Sequence, residues 1–248
     1  MTNIKQYLDS TYLKTAEQAG ISEAENNKIV IAAIQEAIDE DFKLIMIRPE
    51  HVSTARKMIT THQSSVLVGT VIDFPEGKSS LEQKLSEAQQ AINDGADDLD
   101  FVVDYEAFKN NNLEKVKTEV LVCTKLGLEN NKTVKWIIEI AALNNLQIVQ
   151  LSALIKNIVI SNFKENQYEQ VFVKSSTGFY KTEAGKPNGA TVEGILLMLE
   201  NSNPLPVKAA GGVRNYEEAM QMITLGVKRI GTSAAKAIAN HQETNTEY

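Results

Sequence analysis

Two lysines occupy corresponding places in two short apolar runs of this chain. Lys174 closes Val171-Phe172-Val173-Lys174, and Lys208 sits in Pro206-Val207-Lys208-Ala209. Side chains alternate across a strand, so Val171 and Val173 share one face and Lys174 takes the other. If the valines meet covering helices, Lys174 points inward, and the same alternation turns Lys208 inward. Neighbouring strands lie about 4.8 Å apart, and two ammonium groups that close cannot both stay charged cheaply. One pKa falls, and a neutral amine is a nucleophile that can form a Schiff base with a carbonyl. One lysine would attack while the other stays cationic and depresses it; the pattern does not say which.

The alternation recruits more charge. In Leu99-Asp100-Phe101-Val102, Asp100 opposes the apolar face, and in residues 134–139 Lys135 and Glu139 do the same. Five ionisable groups on four consecutive strands are thus expected to face one axis. Burying charge without a partner is expensive, which favours working groups over the plainer alternative, an internal ion-pair network. Asp100 supplies a carboxylate for proton transfer, and Lys135 can pair with it.

Small residues follow the lysine strands: Ser175-Ser176-Thr177-Gly178, then Ala209-Ala210-Gly211-Gly212-Val213-Arg214, then Ile230-Gly231-Thr232-Ser233. Glycines let backbone N–H groups approach an anion, and barrel enzymes commonly hold phosphate after strands seven and eight. Arg214 reads equally well as a phosphate contact or a surface residue.

The elements that must position these groups alternate along the chain. Strands are predicted over 42–47, 66–72, 99–103, 134–140, 171–175, 207–210 and 229–232, with a weaker one near 11–13. Helical spacing fills 24–40, 52–61, 81–94, 112–126, 146–163, 191–200 and 217–225. Gly95 and Gly226 read as helix ends, and Thr191 as a helix start. Strict alternation implies a parallel sheet, and eight units in 248 residues imply a single-domain α/β fold, the (β/α)8 TIM barrel, across residues 1–248. The rival, a doubly wound open sheet, lacks a Gly-x-Gly-x-x-Gly after its first strand. Residues 236–248 are expected to be a mobile tail.

Composition sets the outer bounds. The chain is 43% hydrophobic and 23% charged, with 25 basic and 32 acidic residues for a net charge of −7. That balance disfavours nucleic acid and anionic membranes as partners. One cysteine, Cys123, forbids an internal disulfide and reads as a buried helix thiol, and the three scattered histidines show no zinc-ligand spacing. No membrane span or signal peptide is visible, so a cytoplasmic location is the expectation.

Together these segments resemble deoxyribose-phosphate aldolase, a class I aldolase family with the barrel fold. The resemblance runs from about Ser10 to Ala235 and is most specific in residues 171–178 and 207–214. Residues 70–77, 95–100, 135–139 and 229–233 support it. It implies that Lys174 is the Schiff-base lysine, Lys208 the lysine that tunes it, Asp100 the proton-transfer residue and Lys135 its support. It further implies that Thr177 and Gly178 line the substrate and phosphate path and that Gly211, Gly212 and Ser233 hold phosphate; Gly231 and Arg214 are candidate phosphate contacts from the small-residue loops alone. The implied reaction converts 2-deoxyribose 5-phosphate reversibly to glyceraldehyde 3-phosphate and acetaldehyde, with no metal or other cofactor. A homodimer is possible. The alternatives are a related Schiff-base barrel aldolase for another aldehyde or ketose phosphate, and a non-catalytic phosphosugar-binding barrel. Met46 stands where the family usually has cysteine, Arg48 adds a cation, and Ile140-Ala141-Ala142 replaces a more polar stretch; these put substrate breadth in question. Some family members end in a tyrosine that relays a proton, a role Tyr248 could fill.

Overall fold

A computed structural model describes residues 3–242. Eight parallel strands close into a barrel in sequence order. They are β1 Leu8–Thr11, β2 Leu44–Ile47, β3 Leu67–Ile72, β4 Asp98–Val102, β5 Thr133–Ile137, β6 Val171–Lys174, β7 Val207–Ala210 and β8 Arg229–Thr232. The helices are α1 Ala16–Ala19, α2 Glu23–Asp39, α3 Val52–Thr61, α4 Leu81–Asn93, α5 Tyr105–Lys109, α6 Leu113–Glu129, α7 Asn145–Asn162, α8 Val192–Ser202, α9 Tyr216–Leu225 and α10 Ala235–Ala239. The predicted barrel is therefore the observed one.

Local chemistry explains the helix starts. Ser22, Ser80 and Asn144 each accept a bond from the backbone three residues on, whose side chain bonds back to the cap. Thr191 caps α8 by accepting from Gly194. Gly95 and Gly226 have φ of +100° and +117°, the left-handed geometry that ends a helix where glycine costs least.

The strands bury two distinct faces. The outer face, including Val68, Phe101, Trp136, Val173, Val207 and Ile230, joins the helices in one apolar core. Trp136 stacks on Phe101 at 5.1 Å and donates from its indole nitrogen to Thr124 Oγ1 of α6 at 2.9 Å. Cys123 is fully buried in this layer, and burial pushes its thiol up to about 12, so it is unreactive as expected.

Three expectations are corrected. The first strand is Leu8–Thr11 rather than 11–13: Asp9 pairs with Leu44 of β2 and with Gly231 of β8. The fifth strand stops at Ile137 rather than 140, because Glu139 turns the chain with φ +54° into a short 3-10 turn, Ile140–Ala142. The tail does not begin at 236: Ala235–Ala239 is helical, with Ile238 buried against the core. Residues 243–248, including Tyr248, lie outside the described residues.

Candidate active site

β4 to β8 and β1 fill one side of the barrel interior with charge. Lys174 and Lys208 are register partners on adjacent strands, as are Asp100 and Lys135. Both Lys174 and Lys208 donate to Asp100 Oδ2, at 2.8 and 2.9 Å. Lys135 donates to Asp100 Oδ1 at 2.8 Å and to Asp98 Oδ2 at 2.6 Å. Lys174 is 3% exposed, whereas Asp100, Lys135 and Lys208 have no exposed surface. The two inward lysines expected to be neighbours, and the expected Asp100–Lys135 pair, thus meet at one carboxylate.

The electrostatics follow from burial and from these contacts. Burial lowers the pKa of Lys174, Asp100 opposes that, and Lys208 and Lys135 add to it, leaving the amine at about 8. The neighbouring ammonium contributes as foreseen, but desolvation is the larger cause. Burial disfavours the Asp100 carboxylate, yet Lys135, Lys174 and Lys208 outweigh it and hold the carboxyl well below its usual range. Lys135 is raised: its desolvation is overcome by Asp100, Asp98 and Asp9.

Glu139, the fifth of the expected inward charges, is buried and acts on Lys174 through space, but among the described residues no ion pair joins it to this cluster. Its left-handed backbone, just past the end of β5, carries the carboxylate to the barrel mouth. There its Oε2 accepts from the Thr177 amide at 3.1 Å and from the Thr177 hydroxyl, while its Oε1 is buried without a hydrogen-bond partner. Burial raises its pKa, against those two bonds. Glu139 and Thr177 line a recess shared with Tyr105, Phe179 and Tyr180.

A second, tighter recess opens at the ends of β6, β7 and β8. Gly178, Gly211, Gly212, Arg214, Gly231 and Ser233 line it, as the small-residue loops suggested. Thr177, expected on the same path, lines the neighbouring recess, where its hydroxyl donates to Glu139. Gly211 lies so close to Gly189 that a Cβ on either would strike the other's backbone, which lets the 178–190 loop seat against the β7 turn. Ala190 N donates to Gly211 O at 2.8 Å, and Asn188 Nδ2 to Gly178 O at 3.2 Å. Arg214 donates its amide to Glu218 Oε2 at 2.7 Å.

Sequence reasoning missed Asp9, Asp98, Arg229 and Asn188. Asp9 Oδ2 is 2.6 Å from Lys208 Nζ, a charge contact off the angle of a hydrogen bond, and Asp9 Oδ1 accepts from Arg229 Nε at 2.7 Å. Burial raises the Asp9 pKa, but Arg229 and Lys208 prevail and bring it to about 2. The signal for Asp98 and Arg229 was present: each shares strand parity with an inward residue, Asp100 and Gly231.

The three departures from the family pattern have structural roles. Met46 is buried inside the barrel with Leu13, Leu44 and Val71. Arg48 donates to Leu13 O at 2.8 Å and lies over the Phe74 ring at 5.0 Å, tying two loops together. Ile140 is buried, where a Cβ on Gly194 would meet it at 2.9 Å.

A closed parallel barrel with a buried low-pKa amine, a shared carboxylate and a glycine-lined recess at the strand ends defines a barrel aldolase of the Schiff-base class. The chain belongs to the DeoC/LacD family aldolases, whose sequence profile matches residues 13–239. The deoxyribose-phosphate aldolase of Staphylococcus saprophyticus is 38% identical over 247 residues, covering 99% of this chain and 100% of that one. The deoxyribose-phosphate aldolase of Thermococcus kodakarensis is 35% identical over 236 residues, 95% of each chain. Among solved structures, the tetrameric deoxyribose phosphate aldolase of Aeropyrum pernix superposes with a TM-score of 0.74 at 26% identity, over 96% of this chain and 89% of that one.

Proposed function

We propose that this chain cleaves 2-deoxyribose 5-phosphate reversibly to glyceraldehyde 3-phosphate and acetaldehyde. The observation that carries the reading is the shared Asp100 Oδ2, which holds Lys174 and Lys208 within 3 Å of one oxygen. The pKa of about 8 leaves part of Lys174 neutral near physiological pH. That amine attacks the substrate aldehyde carbon, and loss of water gives an iminium. The C3 hydroxyl then gives up its proton and becomes the carbonyl of glyceraldehyde 3-phosphate. The electron pair of the C2–C3 bond passes to the iminium and leaves an enamine on Lys174. Protonation of the enamine carbon and hydrolysis release acetaldehyde. Because the iminium takes the electron pair, the reaction proposed requires no metal or other cofactor.

Asp100 has the position to pass protons between the two lysines and the substrate oxygens. Three ammonium neighbours make it a weak base, so its part is to hold and relay rather than to abstract unaided. The recess lined by Gly178, Gly211, Gly212, Gly231, Ser233 and Arg214 has the composition to take the phosphate, with glycine amides and an arginine. No helix among the described residues is long and apolar enough to cross a membrane. Self-association, as a dimer or in the tetrameric manner of the Aeropyrum pernix protein, is the proposed assembly and is read by light scattering.

Borohydride trapping tests the reading. With 2-deoxyribose 5-phosphate and reductant, the intact mass should rise by one reduced adduct that maps to Lys174, and Lys174→Leu should not be trapped. An active sample trapped elsewhere, or a folded one trapped by no aldehyde, would overturn the assignment.

A further inference from the structure

The charged side of the barrel interior forms a closed circuit. Arg229 Nε meets Asp9 Oδ1 at 2.7 Å, and Asp9 Oδ2 meets Lys208 Nζ at 2.6 Å. Lys208 meets Asp100 Oδ2 at 2.9 Å, and Asp100 Oδ1 meets Lys135 at 2.8 Å. Lys135 meets Asp98 Oδ2 at 2.6 Å, and Asp98 Oδ2 returns to Arg229 at 3.2 Å. Three cations and three carboxylates alternate around this ring, and its formal charge is zero. Lys174 stands outside it. Among the described residues its ion pair is with Asp100 Oδ2, an oxygen that Lys208 already holds.

We infer that Asp98 and Arg229 are positioning residues of the active site, which close a neutral ring of buried charge and thereby leave Lys174 as the surplus cation. Neither is expected to touch the substrate. Both lie at the first residue of their strands, whereas Lys174 is the last of its own, so they stand toward the opposite end of the barrel from the mouth. Their contribution is charge balance. A ring that is already neutral offers Lys174 no further carboxylate, so the proton on Lys174 is the cheapest one in the cluster to release.

The groups facing Lys174 are Asp100 from β4, Lys135 from β5, Lys208 from β7 and, past the end of β5, Glu139. Asp98 and Arg229 act on it through Lys135, Lys208 and Asp9. A unit charge added or removed at Asp98 acts on Lys174 across three ion-pair contacts, and one at Arg229 across four. At an effective dielectric near 20 this amounts to about one pH unit.

This inference rests on the Schiff-base reading, and the two fail separately. The experiment is the pH dependence of borohydride trapping with 2-deoxyribose 5-phosphate, normalised to folded protein by circular dichroism. Asp98→Asn gives the ring a surplus positive charge, so the acidic limb should move down by about one pH unit. Arg229→Gln gives it a surplus negative charge, so the limb should move up by a similar amount. The double variant is neutral again and should return the limb to within a few tenths of a unit of the parent. Arg229→Lys keeps the charge, should leave the limb in place, and supplies a reading if Arg229→Gln does not fold. Loss of amplitude without movement of the limb, movement in one direction for both single variants, or a displaced limb in the double variant would overturn the ring. Failure of the parent to trap at all would instead overturn the proposed function.

Discussion

The barrel interior has two sides that are equally sealed and oppositely made. On β2 and β3 it is lined by Leu44, Met46 and Val71, joined by Leu13. On the remaining six strands it carries Asp9, Asp98, Asp100, Lys135, Lys174, Lys208 and Arg229. Met46 and Lys208 both have zero exposure. The apolar side is held by shape, where a missing methylene leaves a void. The charged side is held by balance, where a missing charge strands its partners. Substitutions should therefore fail in different ways on the two sides: on one as lost stability with the chemistry intact, on the other as altered titration and lost turnover.

The largest effect is expected on the charged side. Lys208→Met leaves Asp9 without one of its two cations and removes an ammonium that helps depress Lys174. The sign follows directly. With that positive charge gone, Lys174 holds its proton more tightly, so its pKa rises above about 8 and less neutral amine is present at pH 7. Turnover at neutral pH should fall by about a hundredfold or more, with the acidic limb of the pH–rate profile moved upward. An unmoved limb would mean that Lys208 does not tune the amine.

How much of this was legible in the sequence follows the same division. The outer valines announced the strands, and from them Lys174, Lys208, Asp100 and Lys135 could be turned inward by parity alone. Where charge replaced the apolar signal, the strand itself was lost. Leu8-Asp9-Ser10-Thr11 contains one apolar residue, so β1 was placed three residues late and Asp9 went unseen. Beginning β4 at Leu99 cut off Asp98 by a single position. Glu139 failed for a backbone reason: alternation holds only while the strand lasts, and the chain leaves the sheet two residues earlier. Asn188 sits in a loop whose conformation comes from the Gly189–Gly211 approach, a tertiary contact with no local sequence period.

On the apolar side, Met46→Ala removes a fully buried side chain from a small cluster that is walled by charge and cannot easily collapse. It should cost about 2–5 kcal/mol in urea unfolding while leaving the acidic limb of the pH profile in place. A limb that moved would show that the two sides are electrostatically coupled, and that their separation is not real.

Gly69 gives the smallest and sharpest comparison. It lies inside the barrel beside Met46, and a Cβ there would come within 2.6 Å of Met46 Cε and 2.9 Å of Leu44 Cδ2. Both are the far ends of flexible side chains, so Gly69→Ala should cost about 1–3 kcal/mol by overpacking. Its backbone does not need glycine's positive φ, so space is the whole objection. In the Met46→Ala background the added methyl enters room the thioether has vacated, and the cost should fall toward zero or reverse sign. A double-mutant cycle in urea reads the coupling directly, with about 1 kcal/mol or more expected between residues in contact. Strict additivity would show that the added methyl is opposed by Leu44, whose methyl carbons lie 2.9 and 3.0 Å from it, and not by Met46.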